Sequence, residues 1–228
     1  MHIEPGIVDS AKIVLSYGTA AGVLGYTAKQ AWHAVRQDGA VAIGVRSLIA
    51  ALLVFCFFEV FPHQPVGVSE VHLILGSTLF LMFGAAPAAI GLALGLLTQG
   101  LFFAPWDLAQ YGMNVTTLLV PLFALSVLAR RIIPANTAYK DVQYSQCLAL
   151  STAYQGGVVA WVAFWAIYGQ GVGAANLAQV GTFGMAYMAV VLVEPLIDLA
   201  VLAAAKALHQ FKDSLVFQRR LYSAAAQA

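Results

Sequence analysis

Charged side chains are scarce in this chain. Lys and Arg number 11 and Asp and Glu number 10 among 228 residues, so that 9% of the chain is charged and 61% is hydrophobic. A soluble domain carries about 25% charged residues. So few charges cannot cover a water-exposed surface, and the composition therefore excludes a soluble globular protein and predicts an integral membrane protein.

Cysteines are few and the common catalytic motifs are missing. The two cysteines, Cys56 and Cys147, lie in apolar runs and form neither a disulfide framework nor a CxxC metal site. The sequence contains no GxxxxGK(S/T) nucleotide loop, no HExxH and no GxSxG. We therefore expect no enzyme, no resident cofactor and no nucleic-acid partner. Any ATP hydrolysis that drives the protein must come from separate subunits.

Seven apolar stretches dominate the chain. They cover residues 12–31, 40–61, 71–84, 87–103, 113–129, 146–169 and 178–205. A membrane-spanning helix needs about 20 residues, and Gly84 and Pro87 in "FGAAPAA" interrupt what would otherwise be one overlong helix. The pattern predicts an all-α bundle of about seven transmembrane helices in one domain, 1–228. The third and fourth helices are either two short helices or a pair bent around a buried site.

The basic residues lie on one side of these stretches. They follow the first, fifth and seventh stretches, whereas the loops at 62–70, 104–111 and 170–177 contain no Lys or Arg. The positive-inside rule then predicts an outside N-terminus and a cytoplasmic tail, 206–228, in a multi-pass protein of the cytoplasmic (inner) membrane. The first nine residues also lack Lys and Arg, so we expect no cleaved signal peptide and a free amine on Met1.

Histidines and carboxylates gather on the predicted outer side, where Lys12 is the one nearby cation. The histidines are His2, His63 and His72, and the carboxylates are Glu4, Asp9, Glu59, Glu70 and Asp107. An acidic mouth of this kind raises the local concentration of cations.

The opening "MHIEPG" places an imidazole beside the terminal amine, which predicts a metal-binding segment over residues 1–9. The Met1 amine, the His2 amide and His2 Nδ1 can chelate one metal through fused rings. One equatorial position remains for a further imidazole, and we expect His72 to fill it, with His63 as the alternative and a mere packing role for His72 as the third possibility. A planar nitrogen set suits Ni(II), Cu(II) or low-spin Co(II) better than Zn(II).

Four segments in order resemble the CbiM/NikM family, the substrate-capture membrane subunits of energy-coupling-factor (ECF) transporters for cobalt and nickel. They are "MHIEPG", "VHL" at 71–73, "FGAAPAAIGLALGLLTQGLFF" at 83–103 and "YGMN" at 111–114. The likeness is clear over residues 1–6 and about 69–125. The chain departs from the family pattern in its proline after the acidic residue and in Val71, which replaces a cysteine. The segment "APWDLAQYGMN" lacks a family histidine and gains Asp107 and Tyr111.

The resemblance implies that Met1, His2 and His72 ligate the metal and that Asn114 supports the site. We add Glu70, Asp107 and His63 as further supporting candidates from their position. The implied function is uptake of Co(II), or of Ni(II), with a link to cobalamin biosynthesis in the case of cobalt. The implied partners in the lipid bilayer are a transmembrane coupling subunit and a small accessory membrane subunit, with two ATPase subunits in the cytoplasm.

Other features leave alternatives open. Glu194 and Asp198, four residues apart in the last stretch, either pair with Arg46 or relay protons or cations in a standalone proton-coupled carrier. Small residues in the first stretch, Gly18, Ala21, Gly22 and Gly25, either dock the coupling subunit or pack inside the bundle. An intramembrane metalloenzyme is disfavoured because its motifs are missing.

Overall fold

The computed structural model describes residues 3–9, 11–207 and 215–223, and this part of the chain is mostly helical. Its main elements in chain order are α1 (Ile13–Asp38), α2 (Ala40–Phe55), β1 (Gln64–Val66), β2 (Ser69–Val71), α3 (Gly76–Phe83), α4 (Ala85–Phe102), α5 (Tyr111–Ile132), α6 (Tyr144–Gln170), α7 (Ala174–Ala207) and α8 (Arg219–Tyr222). Shorter helical turns cover Cys56–Val60, Pro105–Gln110 and Tyr139–Asp141. The strands form an antiparallel hairpin, which the all-α prediction did not include.

Five segments among the described residues are long and apolar enough to cross a membrane. They are Ala40–Val60, Ala85–Phe102, Pro105–Ile132, Tyr144–Gln170 and Ala174–Ala207. α1 is long enough at 26 residues but less apolar than these five. The molecule is therefore a multi-pass membrane protein.

The third predicted helix is much shorter than its apolar stretch. α3 has eight residues, about 12 Å of helix, because residues 69–71 pair in the hairpin and residues 72–75 form neither helix nor strand. α3 ends at Phe83, and α4 begins at Ala85. Gly84 between them has φ 95°, a conformation that favours glycine, so the predicted break is confirmed.

The two ends of the bundle differ in composition. One end holds the N-terminal segment, the hairpin and the start of α5, which Ile3 joins through Ser69 and Asn114. The other end gathers the basic ends of α1 and α5 with the C-terminal segment, where Arg219 approaches Asp38 and Arg220 donates to the Pro134 carbonyl. The run from His72 to Phe83 connects the first end to the second, since the Gln218 side chain donates to the carbonyls of Phe80 and Leu81 at the end of α3.

Close helix packing occurs at α2 and α4. A Cβ built on Gly91 would lie 2.4 Å from the Ala50 Cβ, and one on Gly95 would lie 2.6 Å from a methyl of Val54. The two glycines are four residues apart, which is the small-xxx-small spacing that lets membrane helices approach. This pair of helices therefore cannot accept a larger residue at either glycine without moving apart.

The small residues of α1 lie on the outside of the bundle. Gly18, Ala21, Gly22 and Gly25 are exposed, and a Cβ added at any of the three glycines would meet no atom within 4 Å. The alternative that this face packs inside the bundle is therefore wrong.

Arg46 pairs with a different carboxylate from the two that the sequence suggested. It is buried at 3% exposure, and its Nη1 lies 2.5 Å from Asp38 Oδ2. Its other nitrogens donate to the carbonyls of Leu215 and Phe217 in the C-terminal segment. The predicted pair of Arg46 with Glu194 or Asp198 is wrong because Arg46 faces the basic end of the bundle, where the connection from α1 supplies Asp38.

Candidate metal centre

The N-terminal segment is anchored in the bundle directly after His2. Ile3 is 1% exposed and its N–H donates to Asn114 Oδ1 at 2.9 Å. Ile3 also forms an antiparallel bridge with Ser69, and the Glu4 N–H donates to the Val68 carbonyl at 3.2 Å. The first described residue is therefore held between the hairpin and the start of α5.

A second anchor lies where the segment turns toward α1. The Lys12 Nζ donates to the Gly169 carbonyl at 2.7 Å, near the end of α6. A Cβ built on Gly169 would lie 2.0 Å from the Ile7 carbonyl oxygen, so the segment crosses α6 in direct backbone contact. Only glycine permits this approach.

His72 falls at the start of the apolar stretch 71–84, which predicts a position at the start of a helix, but it lies in the irregular run after β2, four residues before α3 begins. It is 1% exposed, and its Nε2 lies 2.9 Å from Glu70 Oε2. The Phe58 ring packs against it with centroids 5.2 Å apart. If Nε2 donates to Glu70, Nδ1 carries the lone pair that a metal ligand needs.

His63 stacks on His72. The two rings are nearly parallel, with centroids 5.0 Å apart and planes 17° apart. His63 is half-buried, and its Nδ1 lies 3.3 Å from the Phe61 carbonyl oxygen. Both candidate imidazoles therefore belong to one cluster, and His72 is the more buried of the two.

Carboxylates surround this cluster. Asp107 is 7% exposed and lies within electrostatic range of Glu70 and Glu4. Burial raises the pKa of the Glu4 carboxyl, and the neighbouring Glu70 carboxylate raises it further. Asp107 also lines a small crevice together with Asn114. The mutual repulsion of these anions favours a cation near them.

The structure thus brings together five of the seven predicted site residues, and they come from three parts of the chain. These are His63, Glu70, His72, Asp107 and Asn114. Met1 and His2 lie outside the described residues. Within the described ranges, no group of three or more His, Cys, Asp or Glu side chains is arranged to hold a metal ion.

Two contributors to this region differ from what the sequence suggested: Phe58 was not singled out, and Glu194 was singled out with other partners. Phe58 packs on His72 from the end of the second apolar stretch, and no local pattern marks it. Glu194 accepts hydrogen bonds from the N–H groups of Ile74 and Leu75, just after His72. The negative charge of Glu194 within a long apolar stretch marked it in the sequence. Its hydrogen-bond partners, 119 and 120 positions away, could not be predicted from residue spacing.

Comparisons with known proteins give the family and the fold of the chain. The family model described as "Cobalt uptake substrate-specific transmembrane region" matches residues 2–210. A Haemophilus influenzae protein named "Putative metal transport protein" is 29% identical over 150 residues, which cover 62% of this chain and 63% of that relative.

Two crystal structures share the fold. One, of a truncated transition metal transporter, has a TM-score of 0.70 at 18% identity, and the match covers 91% of this chain and 99% of that chain. The other, of a transition metal transporter, has a TM-score of 0.66 at 17% identity, and the match covers 93% of this chain and 98% of that chain. Because the family model spans nearly the whole chain, the chain belongs to the CbiM family, whose model describes a cobalt uptake substrate-specific transmembrane region.

Proposed function

We propose that this chain is the substrate-binding membrane subunit of an ECF-type transporter that takes up Co(II), or Ni(II), across the cytoplasmic membrane. The metal is the transported substrate. The observation that carries the proposal is the anchoring of Ile3 by Asn114 and Ser69 beside the His63–His72 cluster. This anchoring brings the start of the chain to histidines that lie 60 and more residues away in sequence.

The proposed ligands are the Met1 amine, the His2 amide and imidazole, and His72 Nδ1. Consecutive Cα atoms are about 3.8 Å apart, so His2 and Met1 can lie no farther than about 8 Å from the Ile3 Cα. The described residues alone do not form a complete site, so donors from Met1 and His2 would complete it. Glu70 would orient His72 through Nε2, as carboxylates commonly do for metal-bound histidines.

The choice of metal follows from the ligand chemistry. Four nitrogens in a plane suit Ni(II) and low-spin Co(II), whereas Zn(II) prefers a tetrahedron and Mg(II) prefers oxygen ligands. The surrounding carboxylates would attract divalent cations without selecting among them. In this proposal the nitrogen set therefore selects against Zn(II) and Mg(II), but not against Cu(II), which also suits a planar nitrogen set.

The proposed topology has seven passes, with the metal centre outside and the basic end in the cytoplasm. The third pass combines residues 72–75, which form neither helix nor strand, with the eight-residue α3, which is about 12 Å long. Non-helical backbone is tolerated at membrane depth where protein surrounds it, and seven of the eight residues of α3 are buried. The clustering of basic residues at the other end supports this orientation.

Transport by this chain requires partners in this proposal, because its sequence contains no nucleotide loop. Cells that produce the chain alone should not accumulate Co(II) or Ni(II). Cells that also produce a coupling subunit, two ATPase subunits and the small accessory membrane subunit should accumulate one of the two. Full uptake by the chain alone would instead favour a standalone proton-coupled carrier.

Replacement of Asn114 should weaken metal binding without removing any ligand. Asn114→Leu removes the acceptor of the Ile3 N–H, so the N-terminal segment loses its anchor. We expect the affinity for Ni(II) or Co(II) to fall about 10-fold or more, as for other groups that orient metal ligands. Asn114→Asp keeps the Oδ1 acceptor of the Ile3 N–H and should bind the metal more tightly than Asn114→Leu does. Titration of the purified proteins measures both, and an unchanged affinity of Asn114→Leu would contradict the anchoring role.

The exposed small-residue face of α1 is the proposed docking surface for the coupling subunit. A Cβ at Gly22 would have no atom of the described residues within 4 Å, so the folding and metal binding of Gly22→Leu should match those of the native protein. Copurification with the coupling subunit should be lost, because the helices can no longer approach. The matched control is Gly95→Leu, which collides with Val54 and should lower the melting temperature. Normal copurification of Gly22→Leu would show that the coupling subunit docks elsewhere.

A further inference from the structure

The backbone after His72 belongs to neither the hairpin nor α3, and it lies inside the protein. Ile74 and Leu75 are buried, and Leu75 has φ 54°, so neither residue continues the strand or begins α3. Backbone N–H groups at this depth have no water to bond and need a partner within the protein. Both find the same one: Glu194 Oε1 accepts the Ile74 N–H at 2.7 Å and the Leu75 N–H at 2.9 Å.

Glu194 reaches these groups from α7, and its surroundings suit a hydrogen-bond acceptor. It is 0% exposed, and Gln155 donates its side-chain N–H to the second carboxylate oxygen. One turn further along α7, Asp198 accepts hydrogen bonds from the hydroxyl groups of Ser77 and Thr78. Within the part of the chain that the structure describes, no Lys or Arg forms an ion pair with either carboxylate.

Donors aimed at both Glu194 oxygens are the opposite of what a cation site offers. A cation needs lone pairs that face it, whereas here N–H groups occupy them. The partial positive charge at the start of α3 also stabilises a carboxylate at this place. The contacts therefore describe an acceptor that α7 supplies to two backbone N–H groups preceding α3, and not a cation relay.

We infer that Glu194 is the positioning residue for His72, and this inference rests on the proposed role of His72 as a metal ligand. Ile74 and Leu75 are two and three residues beyond His72, and β2 ends one residue before it. Glu70 and the hairpin hold the segment on one side, and Glu194 holds it on the other. Without the hydrogen bonds from Ile74 and Leu75 to Glu194, the His72 imidazole would not stay at a fixed distance from the N-terminal segment.

Two conservative variants of Glu194 separate the effect of its side-chain length from the effect of its negative charge. Glu194→Gln keeps an oxygen at the same reach, and Gln155 can turn its amide so that its Oε1, which has no hydrogen-bond partner in the described structure, accepts the new N–H. Glu194→Asp keeps the charge but is one methylene, about 1.5 Å, too short to reach both backbone groups. Asp198→Asn is the matched control on the same helix, since its contacts are with side chains five and six residues beyond His72.

The experiment measures Ni(II) and Co(II) affinity, the absorption spectrum of the bound metal and hydrogen exchange of the peptide covering 72–78. We expect Glu194→Gln and Asp198→Asn to bind within about 3-fold of the native protein with an unchanged spectrum. Glu194→Asp should bind at least about 10-fold more weakly and exchange faster at 74 and 75.

Three results would overturn the inference. In the first, Glu194→Gln loses binding while Glu194→Asp keeps it, which would make the charge the essential property. In the second, both variants bind normally. In the third, both lose binding with unchanged exchange at 74 and 75. If the native protein binds neither metal, the proposed function fails, and the exchange comparison still decides whether Glu194 holds these amides.

Discussion

His72→Ala should reduce the affinity for Ni(II) or Co(II) by about 100-fold or more, since loss of a ligand costs more than the 10–100-fold typical of loss of a group that orients one. The N-terminal chelate would then have water as its fourth partner. His72 is buried with its Nε2 in contact with Glu70, whereas His63 is half-buried and its Nδ1 lies 3.3 Å from the Phe61 carbonyl oxygen. Metal titration of the purified variant measures the effect.

The matched control is His63→Ala. His63 stacks on His72 at 5.0 Å between ring centroids but is half-buried, so its loss removes a packing surface and leaves the proposed ligands in place. We expect binding within a few-fold of the native protein. If His63→Ala abolishes binding and His72→Ala does not, the assignment of the fourth ligand is wrong.

One extra residue before Met1 should reduce metal affinity as strongly as His72→Ala. The proposed chelate uses the free amine of Met1 in a five-membered ring with the His2 amide, and an added residue turns that amine into a peptide nitrogen. Acetylation of the amine should have the same effect, and His2→Ala should remove the imidazole of the same chelate. Titration of native, extended, acetylated and His2→Ala proteins compares the four directly.

A tag placed after Ala228 is the control for the N-terminal extension. It adds residues at the end of the chain that the proposal assigns to the cytoplasm, so it should leave binding unchanged. The tag must not replace earlier residues, because Leu221 and Tyr222 are buried and pack against the bundle. Unchanged affinity in the N-terminally extended protein would show that the amine is not a ligand.

Features of the fold that depend on local composition could be predicted from the sequence. Scarcity of charge indicated the membrane, Gly84 indicated the break between α3 and α4, and the placement of basic residues indicated that the ends of α1 and α5 meet. Each of these follows from composition or from where residues fall along the chain, and none requires knowledge of which residues touch. The resemblance to the CbiM family, which the family comparison confirms, rested on short motifs in the same way.

Features that depend on long-range contacts could not be predicted. The partner of Arg46 is Asp38, eight residues earlier, and not an acidic residue of α7, because burial and helix rotation decide which way a side chain points. The hairpin was hidden because its strands are three residues each, too short for a period to show. The hydrogen bonds from Ile74 and Leu75 to Glu194 join residues 120 and 119 positions apart.

X-ray absorption of the purified native protein loaded with Ni(II) or Co(II) tests the central claim most directly. The account predicts one metal per chain, with about four nitrogen neighbours in a planar arrangement and no sulfur neighbour. The same measurement on the N-terminally extended protein should show this set lost. A six-coordinate metal with mostly oxygen neighbours, or the same spectrum in both proteins, would contradict a site built from Met1, His2 and His72.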